Sequence, residues 1–243
     1  MTEWDQGNDG TTVVLVHGAF ADASGWSGVI ERLLAAGVPV RAVSNPLRGI
    51  SADTDYVASV VRHIAGPVLA VGHSYGGAVI TNVASAADNV VGLVYVAAFA
   101  PDEGESLAEI ESRSTDSILP AALRPYEYPS ASGTAAELSI DPAQFRAAFA
   151  ADLPESQTAV MALSQRPIAV AAFEEKTGVP AWRNLPSWAV VPTADKAAGS
   201  DVVRSMAQRA AARITEVDAS HVPMMSHPDV VTDVILTALK AVA

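Results

Sequence analysis

The chain has 243 residues, half of them hydrophobic, a net charge of −12 and no cysteine. This length accommodates one well-buried core, and the acidic surface repels phosphate backbones and anionic headgroups, which argues against nucleic acid and membranes as partners. Without cysteine there is no disulfide framework, thiolate zinc site or thiol nucleophile.

The N-terminal stretch MTEWDQGNDG is polar and acidic, without the basic and apolar regions of a signal peptide. The longest apolar run, VVGLVYVAAFA at 90–100, falls short of the roughly 20 residues a bilayer requires and reads as a buried strand. The expected setting is cytoplasmic.

Strand and helix patterns then alternate. TTVVLV (11–16) reads as a strand and WSGVIERLLAAG (26–37) as an amphipathic helix ending at a glycine. VPVRAV (38–43) is a second strand, followed by a helix over SADTDYVASVVRHIAG (51–66) with a Ser/Asp cap. PVLAVG (67–72) runs into a small-residue helix, GGAVITNVASAA, and VVGLVYVAA (90–98) follows as a strand. The rhythm breaks over 101–186, which is rich in Pro, Ser, Ala and Glu and shows no convincing strand. DPAQFRAAFAADL and ESQTAVMALSQRPIAVAAFEE read there as helices. The alternation resumes with strand SWAVVPT (187–193), a Ser-capped helix SDVVRSMAQRAAA (200–212), strand RITEVDA (213–219) and helix HPDVVTDVILTALKAV (227–242), with proline in its first turn. The pattern predicts an α/β domain: a mainly parallel sheet with helices on both faces, built from 1–100 and 187–243, with a helical cap inserted at 101–186.

Ser74 sits in Gly-His-Ser-Tyr-Gly at 72–76, between a strand and a helix. A nucleophilic serine needs this setting: a sharp strand-to-helix turn, small flanking residues that let backbones pass close by, and the next amide, that of Tyr75, aimed at the developing oxyanion. A phosphate-binding loop would need other glycine spacings. A serine hydroxyl also needs a base, and the base an orienting carboxylate. Of His17, His63, His73, His221 and His227, position favours His221, just past the last strand, over His227 in the cap region of the final helix. Asp195, after strand 187–193, is favoured over Asp102 as the carboxylate. The second oxyanion donor is expected from Ala19, where Gly18 lets the loop approach Ser74.

Together these residues resemble the α/β-hydrolase superfamily, from VVLVHGAF to the helix after His221. Within it, the chain is most similar to the small capped carboxylesterase and hydroxynitrile-lyase-like branch, which holds methyl-salicylate-type esterases and bacterial relatives. HGAF with the following GW, GHSYGG, YVAAFAPDEGES, Arg166-Pro167, TADK and SHVPMMSHP carry the resemblance. It implies an α/β-hydrolase fold, a Ser74, Asp195, His221 triad and an oxyanion hole of Ala19 and Tyr75 amides. The lyases of this branch place a threonine at the position of Gly18 and a lysine directly after the catalytic histidine, where this chain has Val222. A leaving cyanide would have no cation to stabilise it.

The expected function is therefore hydrolysis of carboxylic esters or lactones of small to medium, apolar character through an acyl-enzyme, with no metal or organic cofactor. Phe20, Tyr126, Phe145, Phe149, Phe173 and Val222 are candidate walls of the substrate pocket. A cofactor-free haloperoxidase or perhydrolase using the same triad is the enzymatic alternative, and a ligand-binding relative without turnover is the non-enzymatic one. The expected partner is a small-molecule ester; a homodimer is compatible with the sequence.

Overall fold

The structure, a computed structural model, describes residues 10–131 and 133–243; the N-terminal stretch read above lies outside these residues except for Gly10. The chain runs through β1 (Thr12–Val16), α1 (Ser27–Ala35), β2 (Val40–Val43), α2 (Ile50–Arg62), β3 (Val68–His73), α3 (Tyr75–Val83) and β4 (Val90–Val96). An insertion follows, with α4 (Leu107–Glu111), α5 (Leu119–Ala122), β5 (Leu123–Ser130), β6 (Gly133–Ile140), α6 (Pro142–Phe149), α7 (Glu155–Ser164), β7 (Ile168–Ala169) and α8 (Val170–Glu174). β8 (Ser187–Pro192), α9 (Ser200–Arg209), β9 (Arg213–Val217), α10 (Pro223–Ser226) and α11 (Pro228–Val242) complete the fold.

The six strands expected from the apolar runs form one parallel sheet in the order β2-β1-β3-β4-β8-β9. Helices cover both faces, so the central strands read as unbroken apolar runs: Val13 to Val16 and Val68 to Val71 are inaccessible or nearly so. The chain winds from β1 outward to β2, then returns to β3 on the other side and proceeds to β4. Strand order thus reverses between β1 and β3. The carboxyl ends of strands at such a reversal leave a crevice, because their connections diverge. Among the described residues no helix is long and apolar enough to cross a membrane.

The structure corrects two local expectations. The helices at 51 and 200 start earlier than their proposed caps: Gly49 and Gly199 precede α2 and α9, and Ser51 and Ser200 lie in the first turns. Their hydroxyls serve tertiary contacts instead, Ser51 to Glu175 and Ser200 to the Pro192 carbonyl at 2.8 Å. The insertion is not purely helical either. β5, β6 and β7 form an antiparallel sheet, with β5 and β6 paired from Leu123–Ile140 to Ser130–Gly133. The sequence LRPYEYPS masks β5 because it holds Pro125 and Pro129. Proline cannot donate to a ladder, and β5 tolerates both because it is an edge strand, paired only with β6.

The insertion is tied to the crevice end of the sheet. Ala169 N donates to Leu47 O at 3.0 Å, Phe20 N to Arg166 O at 3.1 Å, and Ile118 N to Lys196 O at 2.9 Å. Arg48 reaches the hairpin through Glu137 at 2.7 Å and lies 4.5 Å from the centre of the Tyr128 ring.

Backbones pass very close where α3 crosses β1 and β3. A Cβ on Gly76 would stand 2.4 Å from Val16 O, and one on Gly72 would stand 2.6 Å from Gly76 O. Neither neighbour is a flexible side chain that could swing aside. Gly76→Ala is expected to lower stability by about 3 kcal/mol, the upper end of overpacking costs, read as a lower urea midpoint; an unchanged midpoint would refute this packing.

Candidate active site

The strand β3 leads directly into a turn at Ser74, the residue that precedes the first turn of α3. Its backbone has φ 52° and ψ −123°, a conformation that costs a side-chain-bearing residue about 1–3 kcal/mol. The surroundings over-determine it. Ser74 N donates to Val96 O at 3.3 Å, and Ser74 O accepts from Gly77 N at 2.9 Å and Phe99 N at 3.1 Å. The side chain is thereby lifted out of the strand–helix stack. Among the described residues the Ser74 hydroxyl has no hydrogen-bond partner, yet it is not one of the sealed polar atoms, so it reaches accessible space. Tyr75 follows as the first residue of α3, where amides lack an intrahelical acceptor. Its ring is anchored on the far side, the hydroxyl donating to Asp53 Oδ2 at 2.7 Å.

The loop after β1 closes on this turn. A Cβ on Gly18 would lie 2.6 Å from Ser74 Cβ, so glycine alone permits this approach. His17 holds the loop from beneath. Its Nδ1 faces the Gly18 carbonyl at 2.8 Å and must carry the proton, which leaves Nε2 to accept from Asn45 N at 3.0 Å. Burial, aided by the Arg166 charge, lowers the His17 pKa to about 4, so the ring stays neutral and its tautomer is fixed. Asn45 Nδ2 donates to His17 O at 3.1 Å, and Arg166 Nη1 donates to Asn45 O at 2.9 Å. Phe20, with φ 59°, spends its amide on Arg166 O. Among the described residues the amides of Ala19 and Tyr75 have no acceptor.

On the other side of Ser74, the loops after β8 and β9 continue to pair beyond their strands: Thr193 N donates to Val217 O and Ala194 N to Ala219 O. This brings Asp195 to His221. Asp195 is 1% exposed; its Oδ1 accepts from Ala197 N at 2.8 Å and Ala198 N at 3.1 Å, and its Oδ2 meets His221 Nδ1 at 2.8 Å. With Nδ1–H given to the carboxylate, Nε2 is left as the basic nitrogen. His221 Nε2 has no hydrogen-bond partner among the described residues and is not sealed either.

No chemistry is expected of His73 from the sequence, and the structure places it directly against His221. Its Nε2 donates to His221 O at 2.9 Å, and the two ring centres are 4.8 Å apart. Burial foremost, then the neighbouring His221, lowers its pKa well below the ordinary histidine value. His73 is therefore a neutral prop under the His221 ring. Its position inside the five-residue turn motif was the available signal. The insertion braces the same loop, since Asp152 accepts from both the amide and the hydroxyl of Ser220.

The rival residues lie elsewhere. Asp102 is in a part-exposed ion pair with Arg183 at 2.5 Å, His227 contacts Ser226 Oγ at 3.0 Å ahead of α11, and His63 contacts Ser59 O at 2.6 Å at the end of α2. Of the candidate walls, Phe20, Phe149 and Val222 line a cavity of about 60 Å³ together with Met161, Gln165 and Met224. The Phe149 ring centre is 5.0 Å from that of His221 and 6.2 Å from that of Phe20. Phe145 packs behind Phe149 at 5.1 Å, and Phe173 is buried on α8. Tyr126 is 55% exposed on β5 and faces solvent, so it forms no wall of this cavity. Among the described residues no group of three or more His, Cys, Asp or Glu side chains is arranged to hold a metal ion.

Comparison with known proteins agrees with this architecture. Polyneuridine aldehyde esterase superposes with a TM-score of 0.79 at 19% identity, over 94% of this chain and 99% of that one. A pyrethroid hydrolase from Sphingobium faniae gives 0.77 at 21% identity, over 95% and 98% of the two chains. A methylesterase from Arabidopsis gives 0.77 at 18%, over 95% and 99%. No curated protein matches the sequence. Residues 13–234 match the family described as "Alpha/beta hydrolase family", and the chain belongs to that family.

Proposed function

We propose that this protein is a serine carboxylesterase acting on small to medium, uncharged esters or lactones, with Ser74 as nucleophile, His221 as general base and Asp195 as its orienting carboxylate. The observation that carries this reading is the buried 2.8 Å contact between Asp195 and His221 at the crevice where Ser74 stands on its strained turn. The similar solved structures are, by name, an esterase, a methylesterase and a pyrethroid hydrolase, which supports ester cleavage.

Ser74 Oγ attacks the ester carbonyl carbon as His221 Nε2 takes the hydroxyl proton. The carbonyl oxygen becomes an oxyanion held by the Ala19 and Tyr75 amides, and fixed donors of this kind are each worth ~2.7–4 kcal/mol of barrier. Asp195 keeps Nδ1–H in place and balances the imidazolium. His221 then protonates the departing alkoxy oxygen as the carbon–oxygen bond breaks. Water, activated by His221 in turn, cleaves the acyl-enzyme. Phe20, Phe149, Met161, Val222 and Met224 favour an apolar substrate group. Residues 101–186 act as the cap that keeps this space dry. A cyanide-releasing reaction lacks support, because Val222 rather than a cation follows His221.

A fluorophosphonate probe is expected to label the protein but not its Ser74→Ala variant. Hydrolysis of p-nitrophenyl butyrate should fall to background in that variant with the circular dichroism spectrum unchanged; full activity in Ser74→Ala would end the proposal. Asp195→Asn should keep KM nearly constant while kcat falls by roughly 10³–10⁴, as expected when the base loses its orienting acceptor. A loss below tenfold would remove Asp195 from the mechanism.

A further inference from the structure

Glu111 ends α4 in the insertion and is only 8% exposed. It lies behind the loop that holds Asp195, and the segment after it docks on that loop: Ser117 Oγ is 2.6 Å from Ala197 O, and Ile118 N donates to Lys196 O. Ala197 is also the residue whose amide donates to Asp195 Oδ1. Ser117 Oγ stands 3.3 Å from Glu111 Oε1 as well. A hydroxyl has one hydrogen, and here it meets two acceptors. The Ala197 carbonyl can only accept, so both contacts are hydrogen bonds only when Glu111 is protonated and donates to Ser117 Oγ. When Glu111 is ionised, its carboxylate competes with the Ala197 carbonyl for that one hydrogen.

We propose that Glu111 is a positioning residue for His221: as a carboxylate it supports the imidazolium from behind the Asp195 loop, and by taking up a proton it withdraws that support and passes the Ser117 hydroxyl to Ala197. The inference rests on His221 being the catalytic base. Burial is the main influence on Glu111 and pushes its pKa up to about 7; the Ser117 hydrogen bond and the His221 charge pull it down, and Asp195 pushes it further up. His221 and Asp195 are the charged groups that act on it. Its other neighbours are engaged elsewhere. Arg113 and Arg209 pair with Glu105, Lys176 pairs with Glu109, and Asp201 accepts from Ser114 and Thr115. Asp116 accepts from the Asp201 amide, and Lys196 is exposed.

The sign of the effect follows. An ionised carboxylate raises the proton affinity of a nearby imidazole. Replacing it with a neutral amide leaves the base deprotonated to lower pH. Glu111→Gln should therefore move the acid limb of kcat/KM to lower pH by about 0.3 unit or more. Glu111→Asp, which keeps the charge, should restore the parental limb. A stability readout independent of turnover accompanies this. The Glu111 carboxyl has a folded pKa raised above its ordinary 4.5, so its contribution to stability is complete below that value and is lost as pH rises through about 7. The melting-temperature advantage of Glu111→Gln over the parent should therefore grow from pH 5 to pH 8. Should Glu111→Gln fail to fold, Ser117→Ala removes the donor that favours the carboxylate and should shift the limb the same way by less. An acid limb in Glu111→Gln that superimposes on the parental one overturns the proposal, even where the melting difference grows. In that case a dead Ser74→Ala variant leaves the triad standing, whereas an active one defeats the triad itself.

Discussion

The close passage of two loops over the end of the sheet is the constraint on which the site depends. The loop after β1 and the turn after β3 come so near that no side chain fits at Gly18, and α3 crosses β1 with no room for one at Gly76. These contacts hold Ser74 in a conformation that is unfavourable in isolation and turn it outward. They also set the Ala19 and Tyr75 amides, both without acceptors among the described residues, beside it. Strain in the turn and the open amides are thus consequences of one packing arrangement rather than separate features.

Around this turn the protein manages buried polarity with few charges. His17 and His73 are wholly buried and held neutral by desolvation, and each has a proton assignment fixed by a carbonyl partner. The carboxyl groups there are fully engaged: Asp53, 0% exposed, accepts from Tyr75 and the Arg48 amide, and Asp195, 1% exposed, receives two backbone amides and the His221 ring. A buried charge is tolerable when its lone pairs are taken up in this way. The imidazole that partners Asp195 keeps its second nitrogen unpartnered and unsealed, whereas the unpartnered Nδ1 of His73 is sealed from solvent.

The insertion does more than cover this arrangement. Arg166 holds the β1 loop through the Phe20 amide and the Asn45 carbonyl, Asp152 holds Ser220 next to His221, and the segment from Glu111 to Leu119 backs the Asp195 loop. Each connection reaches a loop that carries a site residue. The insertion is thereby tied to the loops that carry Ala19, His221 and Asp195.

How much could be read in advance depended on whether the signal was local. Six apolar runs placed the sheet strands because central parallel strands are buried on both faces, and Gly-His-Ser-Tyr-Gly marked its turn because the backbone there admits few residue types. Asp195 and His221 were legible as positions after strands, which the alternation of elements alone supplies. The antiparallel sheet of the insertion was hidden, since Pro125 and Pro129 argue against a strand until the strand paired with it, β6, is known. Tyr126 was misjudged for the same reason: which way a residue of an edge hairpin points is decided by what the hairpin lies against. The sequence by itself thus determined the sheet, the order of its elements and the turn at Ser74, all set by neighbours along the chain. Only the tertiary structure decided that His73 props His221 and that the segment after Glu111 docks on the Asp195 loop, because those contacts join residues 148 and 80 positions apart and no local pattern records them.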